Sequence, residues 1–119
     1  MIEDYHAYYK TFRAKMRRLN RSLPDAMGAF GALHKQTMAV DGALDRRTKE
    51  LLAVALGIAA RCDGCIASHV HSALRAGATR EELLETVGVA VFMGGGPATV
   101  YGAEALQAME QFSAETAGN

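Results

Sequence analysis

Apolar side chains recur every three or four residues along each long segment of this chain, and this spacing constrains the fold more than any other feature. Residues three and four apart lie on one face of an α-helix, whereas a half-buried strand requires strict alternation, which no segment shows. The connections between these segments are about two to six residues long, as is usual between packed helices. The sequence therefore predicts an all-α domain of five or six helices.

Local signals divide the chain into three parts. We predict an N-terminal helix in residues 1–21, a helical core in residues 22–112 and a polar, frayed tail in residues 113–119. Ser22 is a candidate N-cap at the start of the core, because Pro24 would then lie in the first helical turn. The core is therefore expected to open with a second helix that Ser22 caps.

Two polar residues interrupt apolar helical segments. His34, in the second predicted helix, is interpreted as a half-buried packing residue. Residues 49–60 are densely apolar, with Asp45 as a candidate N-cap, and we expect this helix to be buried on most of its surface. Glu50 lies near its start and requires a partner if it is buried in ionised form. The alternative is a first-turn glutamate that the helix dipole favours.

Glycine, threonine and proline mark the later helix boundaries. Gly77 is placed as a residue that ends a helix with positive φ, and Thr79 with Glu82 has the spacing of a capping box. Three consecutive glycines, residues 94–96, lack the lysine that a phosphate-binding loop requires and are followed by Pro97. We interpret them as a break between two helices.

Composition excludes several classes of function. The length of 119 residues suggests one domain, and such a small domain would gain stability by pairing with copies of itself. The formal net charge is zero, so nucleic acid is not an expected partner. No apolar run reaches the roughly 18 residues that a membrane span requires. The N-terminus lacks signal-peptide features, so we expect a cytoplasmic protein.

Charge is nevertheless unevenly placed. Residues 1–22 hold six Lys or Arg, whereas residues 79–119 hold Arg80 against six glutamates. One face of the first predicted helix carries four of the cations: Lys10, Arg13, Arg17 and Arg21. These features indicate complementary solvated or subunit-facing surfaces, with a basic docking arm for a polyanion as the alternative.

Both cysteines lie in one short stretch, three residues apart, and a histidine follows four residues after the second. On a helix, Cys62, Cys65 and His69 share one face. Thiols near a helix N-terminus lose their protons more readily, and His69 can accept such a proton. Once one thiol is oxidised, the other can condense with it to a disulfide that a reductant reopens. Our interpretation is a redox site.

Two other interpretations of these cysteines stay open. Zinc is one, because the two thiols and His69 are suitable ligands that His71 or Glu50 could complete. His71, however, points about 200° around the helix from His69. The other is a pair of buried, inert cysteines. We prefer redox chemistry, because a chance Cys-x-x-Cys pair followed by histidine is unexpected in a chain with no further cysteine.

Four short motifs occur in order along the core. They are Lys49-Glu50-Leu51-Leu52, Cys62-x-x-Cys65-x-x-x-His69-Val70, Ala76-Gly77-Ala78-Thr79-x-Glu81-Glu82 and Met93-Gly94-Gly95-Gly96-Pro97-Ala98. Together they resemble the core of the alkylhydroperoxidase D-like branch of the carboxymuconolactone decarboxylase superfamily, over about residues 22–112. The resemblance implies an all-α fold that assembles as a homo-trimer or homo-hexamer.

The resemblance also implies a function. Members with the cysteine pair reduce hydroperoxides, and an external thiol or dithiol protein is expected to recycle them; we expect no metal and no organic cofactor. The resemblance implies that Cys65 attacks the peroxide and that Cys62 becomes its disulfide partner. A helix-dipole argument would select Cys62 instead. The resemblance further implies that His69 and Glu50 form a proton relay.

One position departs from the family pattern. The best-known peroxidases of this family have a histidine immediately before the second cysteine, where this chain has Gly64. A thiol oxidoreductase or sensor with slow peroxidase activity is therefore a related hypothesis. The alternatives of other classes are a lactone decarboxylase of aromatic catabolism, whose branch generally lacks the cysteine pair, and a zinc-stabilised helical binding protein.

Overall fold

The computed structural model describes the backbone of residues 1–118 and the side chains of residues 1–114. These residues form α-helices and contain no strand, which confirms the predicted all-α fold. The helices are α1 (Tyr5–Ser22), α2 (Pro24–Met38), α3 (Arg46–Ala59), α4 (Asp63–Arg75), α5 (Arg80–Gly94) and α6 (Gly96–Gly118). Within this part of the chain, no helix combines the length and the apolar character that crossing a membrane would require.

Sequence signals located most helix ends correctly. Asp45 is the N-cap of α3 and accepts a hydrogen bond from the backbone amide three residues later at 2.8 Å. Thr79 and Glu82 form the predicted capping box at the start of α5. Gly77 and Gly95 have φ values of 95° and 70°, in the left-handed region that glycine adopts without strain. The predicted boundaries at these positions are confirmed.

Two helix ends differ from the prediction. Ser22 belongs to α1, and its hydroxyl donates a hydrogen bond to the Arg18 carbonyl oxygen at 2.8 Å, so the prediction that Ser22 caps α2 is wrong. The N-cap of α2 is Leu23, which makes no side-chain capping bond. The tail predicted to fray from residue 113 continues α6 to Gly118, because no glycine or proline interrupts its last turns before that residue. Asn119 lies outside the described residues.

The core lies between α3, α4, α5 and α6, and one residue of α1 reaches into it. Its largest fully buried side chains are Tyr5, Ile58, Ile66, Val54 and Val70. The Tyr5 hydroxyl donates a hydrogen bond to Oε2 of buried Glu104 at 2.8 Å. This contact fixes the start of α1 against α6, so that the rest of α1 extends along α4.

Apolar side chains remain outside this core. No residue of α2 is buried, and Phe30 is 62% exposed. On α3, Leu52 and Leu56 are 50% and 68% exposed, so the expectation that residues 49–60 are buried on most of their surface is wrong for this edge. Helix α3 therefore has one face in the core and one apolar edge outside it.

Candidate functional site

A sharp turn between α3 and α4 creates the framework of the site. Arg61 has a φ of 55°, which ends α3 in the left-handed region at a strain of about 1–2 kcal/mol for a residue other than glycine. Cys62 then returns to extended backbone as the N-cap of α4, with φ −112° and ψ 99°. The two helices consequently pack against each other as an αα-hairpin.

The two cysteines lie at the N-terminus of α4. Cys62 and Cys65 are joined by a disulfide, with their Cα atoms 5.2 Å apart, and both are half-buried. The Cys62 sulfur accepts a hydrogen bond from the Cys65 backbone amide at 3.2 Å, in the place where a capping oxygen usually lies. Unpaired amides and the positive end of the helix dipole at this position stabilise negative charge on sulfur.

Glu50 and His69 meet across the hairpin. Nδ1 of His69 donates a hydrogen bond to Oε2 of Glu50 at 2.7 Å. Glu50 is only 7% exposed, so this hydrogen bond satisfies a carboxylate that would otherwise be costly to bury. Glu50 lies beyond the first turn of α3, which makes the alternative of a first-turn glutamate wrong. With Nδ1 bonded to the carboxylate, Nε2 of a neutral imidazole carries the lone pair that can accept a proton.

Two glycines allow close packing around the disulfide. A Cβ atom at Gly57 would lie 3.2 Å from the Cβ of Cys65, so glycine lets α3 approach the start of α4 closely. A Cβ atom at Gly64 would lie 2.7 Å from the ring of Phe12, in α1. The Phe12 ring thus occupies the space that a side chain at position 64 would need. This contact gives a packing reason for glycine at position 64.

The structure separates His71 from the other candidate residues. Its ring lies against Tyr9, with centroids 4.5 Å apart, and against Phe112 at 5.1 Å. Cys65 and His69, by contrast, are one turn apart and share a face of α4. Among the residues with described side chains, no group of three or more His, Cys, Asp or Glu is arranged to hold a metal ion.

A cavity of about 470 Å³ opens beside Glu50. Residues of α2, α3 and α4 line it, among them His34, Ser72 and Arg75. His34 is exposed on this cavity, so the interpretation of His34 as a half-buried packing residue is wrong. Sequence patterns did not reveal this arrangement, nor the contact of Phe12 with Gly64, because the first depends on how α2 packs against α1 and α3 and the second on how α1 packs against α4.

Comparison with known sequences identifies relatives. The family model for the carboxymuconolactone decarboxylase family matches residues 24–108. An uncharacterized protein of Cupriavidus necator is 41% identical over 96 residues, which are 81% of this chain and 84% of that protein. An uncharacterized protein from the cox locus of Paracoccus denitrificans is 45% identical over 83 residues, which are 70% of this chain and 74% of that protein.

Solved structures share the fold over nearly the whole chain. An apo structure of a carboxymuconolactone decarboxylase family protein from Legionella pneumophila has a TM-score of 0.87 at 45% identity, covering 92% of this chain and 96% of that one. A protein of the same family from Thermotoga maritima, for which a part in the antioxidative response has been suggested, has a TM-score of 0.80 at 28% identity. That alignment covers 91% of this chain and 95% of the T. maritima chain.

Proposed function

Because this chain belongs to the carboxymuconolactone decarboxylase family, we propose that it is a cysteine-dependent peroxidase or thiol oxidoreductase that reduces hydroperoxides. The observation that carries the proposal is the placement of the Cys62–Cys65 disulfide at the start of α4, with the part-buried Glu50–His69 hydrogen bond one turn further along. The antioxidative part suggested for the T. maritima relative accords with this chemistry. The sequence resemblance to this superfamily is confirmed.

The first step oxidises one thiol. With the disulfide reduced, His69 accepts the Cys65 proton at Nε2, and Glu50 stabilises the imidazolium through the bond at Nδ1. The Cys65 thiolate attacks the outer oxygen of the hydroperoxide, and the O–O bond breaks. The alkoxide leaves and takes the proton from His69 to become an alcohol, while Cys65 becomes a sulfenic acid.

The second step forms the disulfide and releases water. The Cys62 thiolate attacks the Cys65 sulfur, and hydroxide leaves from the sulfenic acid and takes up a proton. The two thiols have then lost two electrons, and the hydroperoxide has become an alcohol and a water molecule. An external thiol or dithiol protein returns the electrons by attacking the disulfide.

The capping position of Cys62 supports this division of roles. Its sulfur accepts the Cys65 amide hydrogen bond at 3.2 Å, which would stabilise a Cys62 thiolate. Such a thiolate is a good leaving group when the reductant attacks Cys65, and leaving-group stability increases the rate of thiol–disulfide exchange. His69 lies one turn from Cys65, where it can serve as the base for the attacking thiol.

Single cysteine substitutions test the proposed function directly. Purified wild-type protein with a dithiol reductant should consume cumene hydroperoxide, and Cys65→Ser should abolish this consumption. Cys62→Ser should retain one round of oxidation, with a sulfenic acid on Cys65 that dimedone traps and mass spectrometry locates. Equal peroxide consumption by all three proteins would exclude thiol-based catalysis.

The rate should also depend on pH. The peroxide-attacking group is a thiolate, so the rate of Cys65 oxidation should rise as the thiol ionises. Glu50→Gln should slow this step, because the amide cannot stabilise the imidazolium as a carboxylate does. A rate that is flat between about pH 5 and 9 would contradict deprotonation assisted by His69.

We propose a homo-oligomer, a trimer or a hexamer, acting in the cytoplasm. A reducing compartment supplies the thiols that reopen the disulfide. Large apolar side chains outside the core support self-association, among them Phe30, Leu33, Leu56, Phe92 and Met93. Sedimentation equilibrium of the purified protein tests the assembly, and a monomer at all accessible concentrations would exclude it.

A further inference from the structure

A basic cleft lies between α1 and α4, with α2 across one end. Its volume is about 560 Å³, within the range of small-molecule binding sites. Three arginines and two histidines line it: Arg13, Arg17, His34, His71 and Arg75. No carboxylate of the described side chains lines this cleft.

The concentration of positive charge here is local. The formal net charge of the whole chain is zero, so the cleft is not part of a generally basic protein. Arg13 and Arg17 are four residues apart on α1 and share the face opposite Arg75. Within the described part of the chain, no carboxylate forms an ion pair with Arg17 or Arg75. Arginines around a common volume repel each other, so an anion between them would be electrostatically favoured.

The cleft also has an apolar wall, one residue of which contacts the turn that holds the disulfide. Tyr9, Phe12 and Met16 line its α1 side. The Phe12 ring is the group that covers Gly64, between the two cysteines. A ligand held along this wall would therefore have one end beside Phe12, the residue that contacts Gly64.

The opposite end of the cleft approaches the proton relay. His34, Ser72 and Arg75 line both the cleft and the cavity beside Glu50. The cleft and the cavity beside Glu50 are therefore neighbours along α4. A ligand in the cleft would contact cations and aromatic rings together.

We propose that this cleft binds the carboxylate of an amphipathic organic hydroperoxide, so that the enzyme prefers carboxylate-bearing substrates to uncharged ones of the same shape. The inference rests on the proposed peroxidase function and names its substrate class. Arg17 and Arg75 form charge-assisted hydrogen bonds with the carboxylate, while Tyr9 and Phe12 pack against the apolar part. The carboxylate takes no part in the electron transfer, which follows the two steps already described.

Ligand binding without turnover is the first test. Titration calorimetry would compare isopropylbenzoate, substituted in the para position, with the uncharged para-isopropylbenzamide on the oxidised wild-type protein. The carboxylate should bind at least about tenfold more tightly, and Arg17→Gln or Arg75→Gln should each remove about tenfold. Arg18→Gln is the matched control, since Arg18 is exposed on the same helix as Arg17 and lines neither the cleft nor the cavity beside Glu50. Equal affinity for both ligands would overturn the proposal.

Turnover supplies the second test, which compares cumene hydroperoxide with its derivative that carries a para-carboxylate. Wild type and Arg18→Gln should both prefer the carboxylate derivative, with a catalytic efficiency (kcat/KM) that is higher by about tenfold or more. The double variant Arg17→Gln Arg75→Gln should lose this preference, so that its kcat/KM for the carboxylate derivative falls to that for cumene hydroperoxide. Peroxide consumption without any preference would overturn the cleft as a substrate site and leave the peroxidase standing. Carboxylate-selective binding without peroxide consumption would leave the anion site standing and remove the hydroperoxide as its ligand.

Discussion

Helices α2 and α3 have similar lengths, 15 and 14 residues, and both carry large apolar side chains, yet only α3 has residues buried by the rest of the chain. Four residues of α3 are buried: Glu50, Val54, Gly57 and Ile58. None of α2 is buried. An amphipathic sequence pattern shows that one face of a helix is apolar and gains free energy when it is buried. The pattern does not show whether the same chain or another molecule buries that face.

The contrast extends to function. The buried face of α3 places Glu50 within hydrogen-bond distance of His69 and Gly57 in close contact with Cys65. Helix α2 contributes only His34 at the edge of the basic cleft, while Phe30 on the same helix is 62% exposed. If a second copy buries Phe30 in the proposed oligomer, assembly would also fix α2 in place and with it His34 at the edge of the basic cleft.

The largest effect should come from equivalent truncations in the two helices. Ile58→Ala removes a side chain that is 1% exposed and should lower the free energy of unfolding by about 2–5 kcal/mol. Phe30→Ala should change the stability of the monomer by less than about 0.5 kcal/mol, because its side chain is mostly exposed within one chain. Urea denaturation at low protein concentration measures both.

The dependence of stability on protein concentration distinguishes burial of a helix within one chain from burial against another copy. If copies associate through α2, the wild-type denaturation midpoint should rise with concentration, since association stabilises the folded state. Phe30→Ala should lose most of this rise, whereas Ile58→Ala should keep it. The same concentration dependence in wild type and Phe30→Ala would show that α2 is not the associating surface.

A smaller loss of stability is expected when the hydrogen bond that attaches α1 to the core is removed. Tyr5→Phe leaves Glu104, which is 4% exposed, without its hydroxyl partner. An unsatisfied buried acceptor should lower the free energy of unfolding by about 1–3 kcal/mol. Tyr8→Phe is the matched control on the same helix, because no hydrogen bond to the Tyr8 hydroxyl is found among the described residues. Equal losses in both variants would show that the bond to Glu104 contributes nothing specific.

Alkaline pH should weaken the same contact between Tyr5 of α1 and Glu104 of α6. Burial, followed by the hydrogen bond from its hydroxyl to Glu104, raises the pKa of Tyr5 above its usual value. A tyrosine whose pKa is raised in the folded state binds its proton more tightly there than in the unfolded state. Its contribution is therefore fully present below the unfolded pKa of about 10 and is lost as pH rises above it. Tyr5→Phe should reduce the slope of stability against pH in this alkaline range, measured by urea denaturation; an unchanged slope would contradict the assignment.

The sequence predicted the features that depend on neighbours along the chain. Asp45, Gly77 and Thr79 marked helix ends correctly because capping involves residues within a few positions. The pairing of Glu50 with His69 came from a family resemblance, since neither residue indicates its partner by spacing alone. Phe12 against Gly64 could not be predicted, because it depends on where α1 crosses α4.

The smallest effect should come from the start of α2. Thr79 makes both bonds of a capping box on α5, whereas Leu23 makes no side-chain capping bond on α2. Thr79→Ala should lower the free energy of unfolding by about 1 kcal/mol. Leu23→Ser supplies the missing acceptor, but φ −136° and ψ 63° at this residue are not ideal for capping, so the gain should be about a few tenths of a kcal/mol.

Amide hydrogen exchange in helix α2 would show this gain as slower opening of its first turns in a monomeric background such as Phe30→Glu. Leu23 is 50% exposed, so replacing it removes little packing that could mask the gain. If exchange in α2 slows greatly with Leu23→Ser alone, a poor cap rather than missing cover explains why α2 differs from α3. If exchange in α2 slows greatly only when wild-type copies associate, α2 differs from α3 because a second molecule, and not the same chain, buries its apolar face.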